Sequence, residues 1–248
     1  MKKLFTRIFF SICAFGTSVM VFAQEFVQDV GLAEDASVHQ ILKKYFIDGS
    51  AEFMSTQSVL LIFGLAFVLE RIVYLNLSDV NPTKMLAKIE EALDKGDVEE
   101  AKNVARNTRG PIASIAYQGL VRIDQGIDIV EKSIVSYGSV QSGLLEKNLS
   151  WISLFIAIAP SLGFLGTVVG MIMAFDKIER VGDISPTVVA GGMKVALITT
   201  VMGLLTAMGL QLFYNYLLSK MEGIVNKMED ATVTLLDMVI KYNVKYQR

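Results

Sequence analysis

Threonine hydroxyls are the side chains best suited to chemistry in the two longest apolar runs of this sequence. Thr167 lies in an uncharged run from Leu149 to Phe175, and Thr199 and Thr200 lie in a second, from Val195 to Ser219. Hydroxyl groups can relay hydrogen bonds and hold water, but they cannot take up a proton near neutral pH. Neither run contains an Asp, Glu or His. If these runs conduct protons across a membrane, the titratable group must therefore come from another subunit.

Small residues share one helix face with the hydroxyls in each run. Spacings of three and four place residues on a single face of a helix, where another helix can approach closely. The packing residues are Gly163, Gly166 and Gly170 beside Thr167, and Ala196, Gly203 and Ala207 beside Thr200. Thr199 points about 100° away from Thr200, so we expect it to bind helices together rather than line a passage.

Length and composition indicate an integral membrane protein. About 20 apolar residues cross the hydrocarbon of a bilayer, and the run from Leu149 to Phe175 is longer than that. The 248 residues are 52% hydrophobic and 19% charged, with a mean hydropathy of +0.48, which separates the chain from ordinary soluble domains. The net charge of −2 gives no basic excess for binding nucleic acid.

The residue pattern gives no support for catalytic or metal chemistry. The chain has one cysteine, Cys13, and one histidine, His39, so the paired spacing of a metal site does not occur. The segment GTVVGM lacks the Gly-Lys-Ser/Thr ending of a phosphate-binding loop. We therefore predict a protein that is not an enzyme and has no catalytic residues, metal or cofactor.

We predict an all-α protein with three spanning helices, at residues 55–77, 149–175 and 188–218. Residues 1–23 have the pattern of a signal peptide, with two lysines before an apolar stretch and a small residue, Ala23, at the end. An uncleaved signal anchor is the alternative. Both interpretations place the segment that begins at residue 24, before the first span, on the outer side of the cytoplasmic membrane.

The distribution of Lys and Arg predicts the orientation, because positive residues favour the cytoplasmic side. Residues 78–148 and the tail 219–248 are rich in Lys and Arg, whereas residues 24–54 and 176–187 carry two each. We therefore expect the first two segments to be cytoplasmic and the last two to be periplasmic.

The segments outside the spans are predicted to be helical. Residues 82–104 form two short amphipathic helices broken at Lys95-Gly96-Asp97, with Asp97 as the N-cap of the second. The spacing of apolar residues predicts three further helices. One runs continuously from Asp128 into the second span, and a C-terminal helix continues the third span. The last is an amphipathic helix over Val38–Phe53, which we expect on the outer interface.

Two segments carry a resemblance to a known family. Residues 159–175 read APSLGFLGTVVGMIMAF, and residues 191–216 read GGMKVALITTVMGLLTAMGLQLFYNY. Together they resemble the MotA/TolQ/ExbB proton-channel family, and the three spans with a large loop between the first two resemble ExbB and TolQ rather than four-span MotA. The segments ERIVYLN, GDVEEAK, RGPIASIAYQGL and NKMED match the ExbB side, so the resemblance covers roughly residues 38–230.

The resemblance implies a homo-oligomer in the bacterial inner membrane, typically a pentamer, whose second and third spans line a central pore. That pore would hold the single membrane helices of an ExbD-like partner, which proton entry would move to energise a TonB-like protein and, through it, outer-membrane receptors. The family's two hydroxyls map onto Thr167 and Thr200. One departure is that Val195 occupies a position where relatives often have a glutamate.

Alternatives of two kinds stay open at this point. A TolQ-like envelope unit or a gliding or flagellar stator would use the same channel with a different partner. A non-conducting scaffold would use the small-residue faces only to hold an oligomer together. Glu70, next to Arg71, and Lys194 are possible interface or gate residues, although an ion pair and an interfacial lysine are the simpler interpretations.

Overall fold

The computed structural model describes residues 38–182 and 186–246, and every regular element in those ranges is a helix. The predicted signal peptide lies outside the described residues. The chain divides into two units, residues 1–51 and 52–248. In the first unit, α1 spans Val38–Asp48. Ser50 has a φ of 66°, which no right-handed helix permits, so the expected single helix over Val38–Phe53 is wrong.

Helices of very different length make up the rest of the chain. They are α2 (Ala51–Ser78), α3 (Thr83–Asp94), α4 (Val98–Arg106), α5 (Pro111–Val121), α6 (Ile127–Glu146), α7 (Leu149–Val181) and α8 (Pro186–Tyr246), with a 3-10 turn at Ile123–Gln125 before α6. The helical stretches that contain α2, α7 and α8 are long and apolar enough to cross a membrane. The prediction of an all-α membrane protein with three spans is thereby confirmed.

The ends of the helices follow local chemistry in some places. Asp97 accepts a hydrogen bond from the Glu100 N–H at 2.9 Å and starts α4, so the predicted pair of short helices is confirmed. α8 runs for 61 residues without a break, which also confirms the expected continuation of the third span. α7 extends to Val181, beyond the predicted end of the second span at Phe175.

The expected continuous helix from Asp128 into the second span is wrong, because α6 ends at Glu146 and α7 begins at Leu149. Asn148 between them has a φ of 67°, in the left-handed region that asparagine tolerates better than most residues. Its Nδ2 donates to Glu70 Oε2 on α2 at 3.2 Å. The helical spacing of the apolar residues continues across Asn148, so this spacing alone could not reveal the break between α6 and α7.

The four short helices α3 to α6 pack with the second half of α8 around one hydrophobic core. Its fully buried side chains include Ile89, Leu120, Ile134, Leu145, Ile224 and Leu235. Two polar contacts tie the end of α2 to α8, because Lys220 donates to Asn76 and Lys227 pairs with Asp79. α8 therefore contributes to two regions of the molecule, the apolar spanning helices and the core formed with the short helices.

Candidate functional site

α7 and α8 cross in backbone contact at small residues. A methyl group placed on Gly163 would lie 3.0 Å from the Thr199 carbonyl oxygen, and one on Gly170 would lie 2.9 Å from the carbonyl oxygen of Gly192. A Cβ atom in ordinary van der Waals contact lies 3.4–4 Å from its neighbour. Both positions therefore exclude any side chain unless a backbone moves.

The α8 side of the crossing is built in the same way. A methyl group on Gly203 would lie 2.6 Å from the Ala159 carbonyl oxygen, and Ala207 is buried nearby on the same helix. A methyl group on Gly192 would lie 2.6 Å from the Gly170 carbonyl oxygen. Sequence reasoning did not single out Gly192, although the pair of adjacent glycines at 191–192 was a visible signal.

The structure brings Thr167 and Thr200 together. Their Oγ1 atoms are 2.5 Å apart, joining α7 to α8, and both side chains are half-buried. Thr167 Oγ1 also lies 3.2 Å from the Ala196 carbonyl oxygen, and Thr200 Oγ1 lies 3.1 Å from the same atom. The two hydroxyls predicted to share a function thus form one hydrogen-bonded pair that remains partly accessible.

Thr199 occupies a different environment from its neighbour. Its side chain is fully buried, and its Oγ1 donates to the Ala196 carbonyl oxygen at 2.9 Å. A methyl group on Gly166 would lie 2.5 Å from the same Oγ1, so the hydroxyl fills the space that this glycine leaves. Thr199 therefore contacts α7 without access from outside.

The three hydroxyls compete for two carbonyl groups. Each of the Thr167, Thr199 and Thr200 Oγ1 atoms lies within 3.5 Å of the Gly163 carbonyl oxygen and within 3.2 Å of that of Ala196. Each hydroxyl carries one proton and two lone pairs, so only some of these bonds exist at once. The cluster can therefore turn donors toward a carboxylate or accept a hydrogen bond from a carboxylic acid, with little rearrangement.

Gln57 on α2 is a polar residue at this crossing that sequence reasoning missed. Its side chain is 1% exposed, and Nε2 donates to the Thr199 carbonyl oxygen at 3.0 Å. Oε1 is buried and accepts no hydrogen bond from the part of the chain that the structure describes. A lone glutamine in an apolar span was the available signal, but it did not indicate which helix the side chain contacts.

The structure does not bring Glu70 into this cluster. Glu70 accepts two bonds from Arg71, at 2.6 and 2.7 Å, and one from Asn148, so it lies at the junction of α6 and α7. Arg71 is 2% exposed and places its charge 4.4 Å from the ring centre of Tyr74. The structure contains a local ion pair between Glu70 and Arg71, which is the simpler alternative to an interface or gate role for Glu70.

Lys194 lies on α8 between Gly192 and Ala196, with an exposed side chain. Its position is one to two helical turns from Thr200 toward the N-terminus of α8. Among the described residues, no three His, Cys, Asp or Glu side chains come together in a way that could hold a metal ion. The groups that the structure brings together around Thr167 and Thr200 are hydroxyls, carbonyls and one amide.

The fold and this cluster define a class: a helical membrane protein whose polar site lies between two uncharged runs, Leu149–Phe175 and Val195–Ser219. The model of the MotA/TolQ/ExbB proton channel family matches residues 107–230, half of the chain. That region contains α7, the first part of α8 and the three threonines of the hydroxyl cluster, Thr167, Thr199 and Thr200. The chain belongs to the MotA/TolQ/ExbB proton channel family.

Individual relatives carry ExbB names. A protein of Methanothermobacter thermautotrophicus, named as an ExbB homolog for biopolymer transport, is 29% identical over 169 residues, which cover 68% of this chain and 60% of the relative. The biopolymer transport protein ExbB of Aquifex aeolicus is 34% identical over 76 residues, 31% of this chain and 51% of that protein. The exbB1 protein of Vibrio cholerae is 43% identical over 63 residues, 25% of this chain and 28% of that protein.

Proposed function

We propose that this chain is a proton-channel subunit that couples the proton motive force, together with an ExbD-like partner, to TonB-dependent transport across the outer membrane. The observation that carries the proposal is the half-buried Thr167–Thr200 pair, with its Oγ1 atoms 2.5 Å apart between two uncharged runs of the sequence. The ExbB names of the relatives favour this system over a TolQ-like unit or a flagellar stator.

The partner supplies the group that titrates. A carboxylate of the partner's membrane helix accepts hydrogen bonds from the Thr167 and Thr200 hydroxyls, and the protonated acid instead donates to one of them. One charge crossing 100 mV gains about 2.3 kcal/mol, and each pH unit adds about 1.4 kcal/mol. These amounts suffice to bias a partner helix between two positions.

Apolar side chains around the pair provide surfaces for other membrane helices. Exposed residues next to the pair are Phe164 and Val168 on α7, and Leu197, Val201 and Leu204 on α8. An oligomer, for which a pentamer is the expected form, would enclose the partner helix on this side and face lipid on another. Residues 78–148 and 219–248 would then lie in the cytoplasm of a bacterial inner-membrane protein.

Proton flux into vesicles tests the proposal. The purified chain is reconstituted alone and as a complex with its co-expressed single-span partner, and a pH-sensitive dye is followed under an imposed membrane potential. We expect flux with the complex and none with the chain alone. Robust, specific conduction by the chain alone would contradict the proposal, because neither Leu149–Phe175 nor Val195–Ser219 contains an Asp, Glu or His.

Thr167→Val separates a channel from a scaffold, because it keeps the shape of the side chain and removes the hydroxyl. The channel is expected to assemble with its partner and to lose flux. Full flux with normal assembly would instead support a scaffold whose small residues only hold the oligomer together.

A further inference from the structure

Gln57 is the polar side chain of α2 that contacts the crossing of α7 and α8. The amide must point its nitrogen at the Thr199 carbonyl oxygen, 3.0 Å away, because the opposite orientation would place two acceptors against each other. The orientation of this side chain therefore follows from chemistry, and Gln57 acts on α8 as a donor.

Gly203 leaves the space through which this amide reaches α8. A methyl group at Gly203 would lie 3.3 Å from Gln57 Nε2, so a larger residue would press on the amide. In a regular helix the Thr199 carbonyl already accepts the N–H four residues later, that of Gly203. Gln57 thus gives this carbonyl a second donor, from another helix.

The bonded carbonyl belongs to the peptide unit that connects Thr199 to Thr200. A peptide unit is planar, so a hydrogen bond that fixes its oxygen also fixes the plane from which the Thr200 Cα departs. The same carbonyl oxygen would lie 3.0 Å from a methyl group on Gly163, which shows how closely α7 approaches on the other side. Little freedom remains for Thr200 while the Gln57 bond is intact.

We propose that Gln57 is a positioning residue for the Thr167–Thr200 pair: its amide holds the peptide between Thr199 and Thr200, and thereby sets the two hydroxyls at the separation one carboxyl group can span. This inference rests on the proposed channel function. It assigns a role in the proton pathway to α2, a helix that contributes neither hydroxyl.

Burial alone gives little reason for an amide at this position. Replacing a buried polar group by an apolar one of similar shape is often neutral or stabilising, because an acceptor such as the buried Oε1 costs stability when it lacks a partner. A purely structural Gln57 should therefore be replaceable by methionine, whereas a positioning residue should not.

The test compares Gln57→Met, Gln57→Glu and the control Ser58→Ala in the complex with the partner. Ser58 lies next in sequence on α2, and its Oγ donates back to the Met54 carbonyl oxygen within the same helix, at 2.7 Å. We expect Gln57→Met to assemble normally, with a melting temperature equal to that of the wild type or slightly higher. Its proton flux should fall about tenfold or more, because the reacting groups are misplaced. Ser58→Ala should retain full flux.

The pH profile of Gln57→Glu supplies a reading that packing alone would not change. A buried glutamic acid has a raised pKa, and only its protonated form can donate to the Thr199 carbonyl. Flux in Gln57→Glu should therefore recover at acidic pH and fall as pH rises, relative to the wild-type profile, and this result decides the matter even if Gln57→Met fails to assemble. Wild-type flux in Gln57→Met, or a Gln57→Glu profile parallel to the wild type, overturns the inference.

The two proposals fail in different ways. If Thr167→Val conducts normally, the channel function is wrong. If Thr167→Val stops conduction while both Gln57 variants follow the wild-type profile, only the role of Gln57 is wrong.

Discussion

At the residue scale, the adjacent hydroxyls of Thr199 and Thr200 offer a direct contrast. Thr200→Val removes a half-buried hydroxyl that bonds Thr167, and we expect energised transport to be lost. Thr199→Val removes a fully buried hydroxyl that bonds carbonyls, which costs about 1 kcal/mol of stability and should leave transport intact. Uptake by cells that express each variant at equal membrane levels is the measurement. Equal losses of uptake in Thr199→Val and Thr200→Val would show that the burial of a hydroxyl does not determine whether transport needs it.

The glycines allow an equally direct prediction about packing. Gly170→Ala places a methyl group 2.9 Å from a backbone oxygen of the facing helix, whereas the same change at Gly209, on α8, meets nothing within 4 Å. Forcing an extra carbon into a closely packed contact costs about 1–3 kcal/mol. Thermal unfolding in detergent should therefore show a lower melting temperature for Gly170→Ala and no decrease for Gly209→Ala. A shared decrease would mean that the close contact of α7 with α8 is not the cause.

How much of the site the sequence predicts differs from residue to residue. Thr167 and the three glycines on α7 were predictable as one face, because helical spacing is regular and the run is uncharged. The actual partners were not, since a face does not specify which residue it meets on another helix. Gln57 illustrates the limit: its contact with the Thr199 carbonyl is 142 positions away along the chain, and no periodicity carries that information.

At the element scale, the junction of α6 and α7 depends on Asn148. Alanine in the left-handed region costs about 1–2 kcal/mol, whereas glycine adopts it freely. Asn148→Gly should therefore unfold near the wild-type temperature, losing only an exposed bond to Glu70, and Asn148→Ala should unfold at a lower temperature. Differential scanning fluorimetry of the purified variants measures both. A more stable Asn148→Ala would indicate that α6 and α7 can merge into the single helix that the periodicity favours.

Helix boundaries were predictable wherever a side chain or a rigid residue sets them. Asp97 caps α4 through Glu100, and Pro111 stands at the first position of α5 after Gly110, whose φ is 109°. At Asn148 the backbone turns without such a signal, because this polar residue fits a helix pattern equally well. Before Ser50, the dipeptide Asp48-Gly49 is a turn signal that the apolar spacing alone did not take into account. The sequence therefore predicts helices more reliably than it predicts the breaks between them.

At the scale of the whole molecule, α8 joins the hydroxyl cluster to the core formed by the short helices. Thr200 lies in its first half and the buried Leu235 in its second, without a break between them. The contacts of Lys220 and Lys227 with the end of α2 lie between these two regions. One continuous helix thus connects the core of the short helices with the hydroxyl pair.

The proposed oligomer predicts how a defective copy affects working ones. If each copy functions alone, co-expressing equal amounts of wild-type chain and Thr200→Val should halve transport relative to the wild type. If copies share one pore and every hydroxyl pair is used in turn, one defective copy disables the ring. In a pentamer mixed at random, only about one ring in 32 would contain wild-type copies alone. We therefore expect transport to fall far below half, with Thr199→Val as the matched control that leaves it unchanged. Uptake that declines in proportion to the fraction of Thr200→Val, in membranes where both chains co-purify, would show that each copy provides an independent pathway.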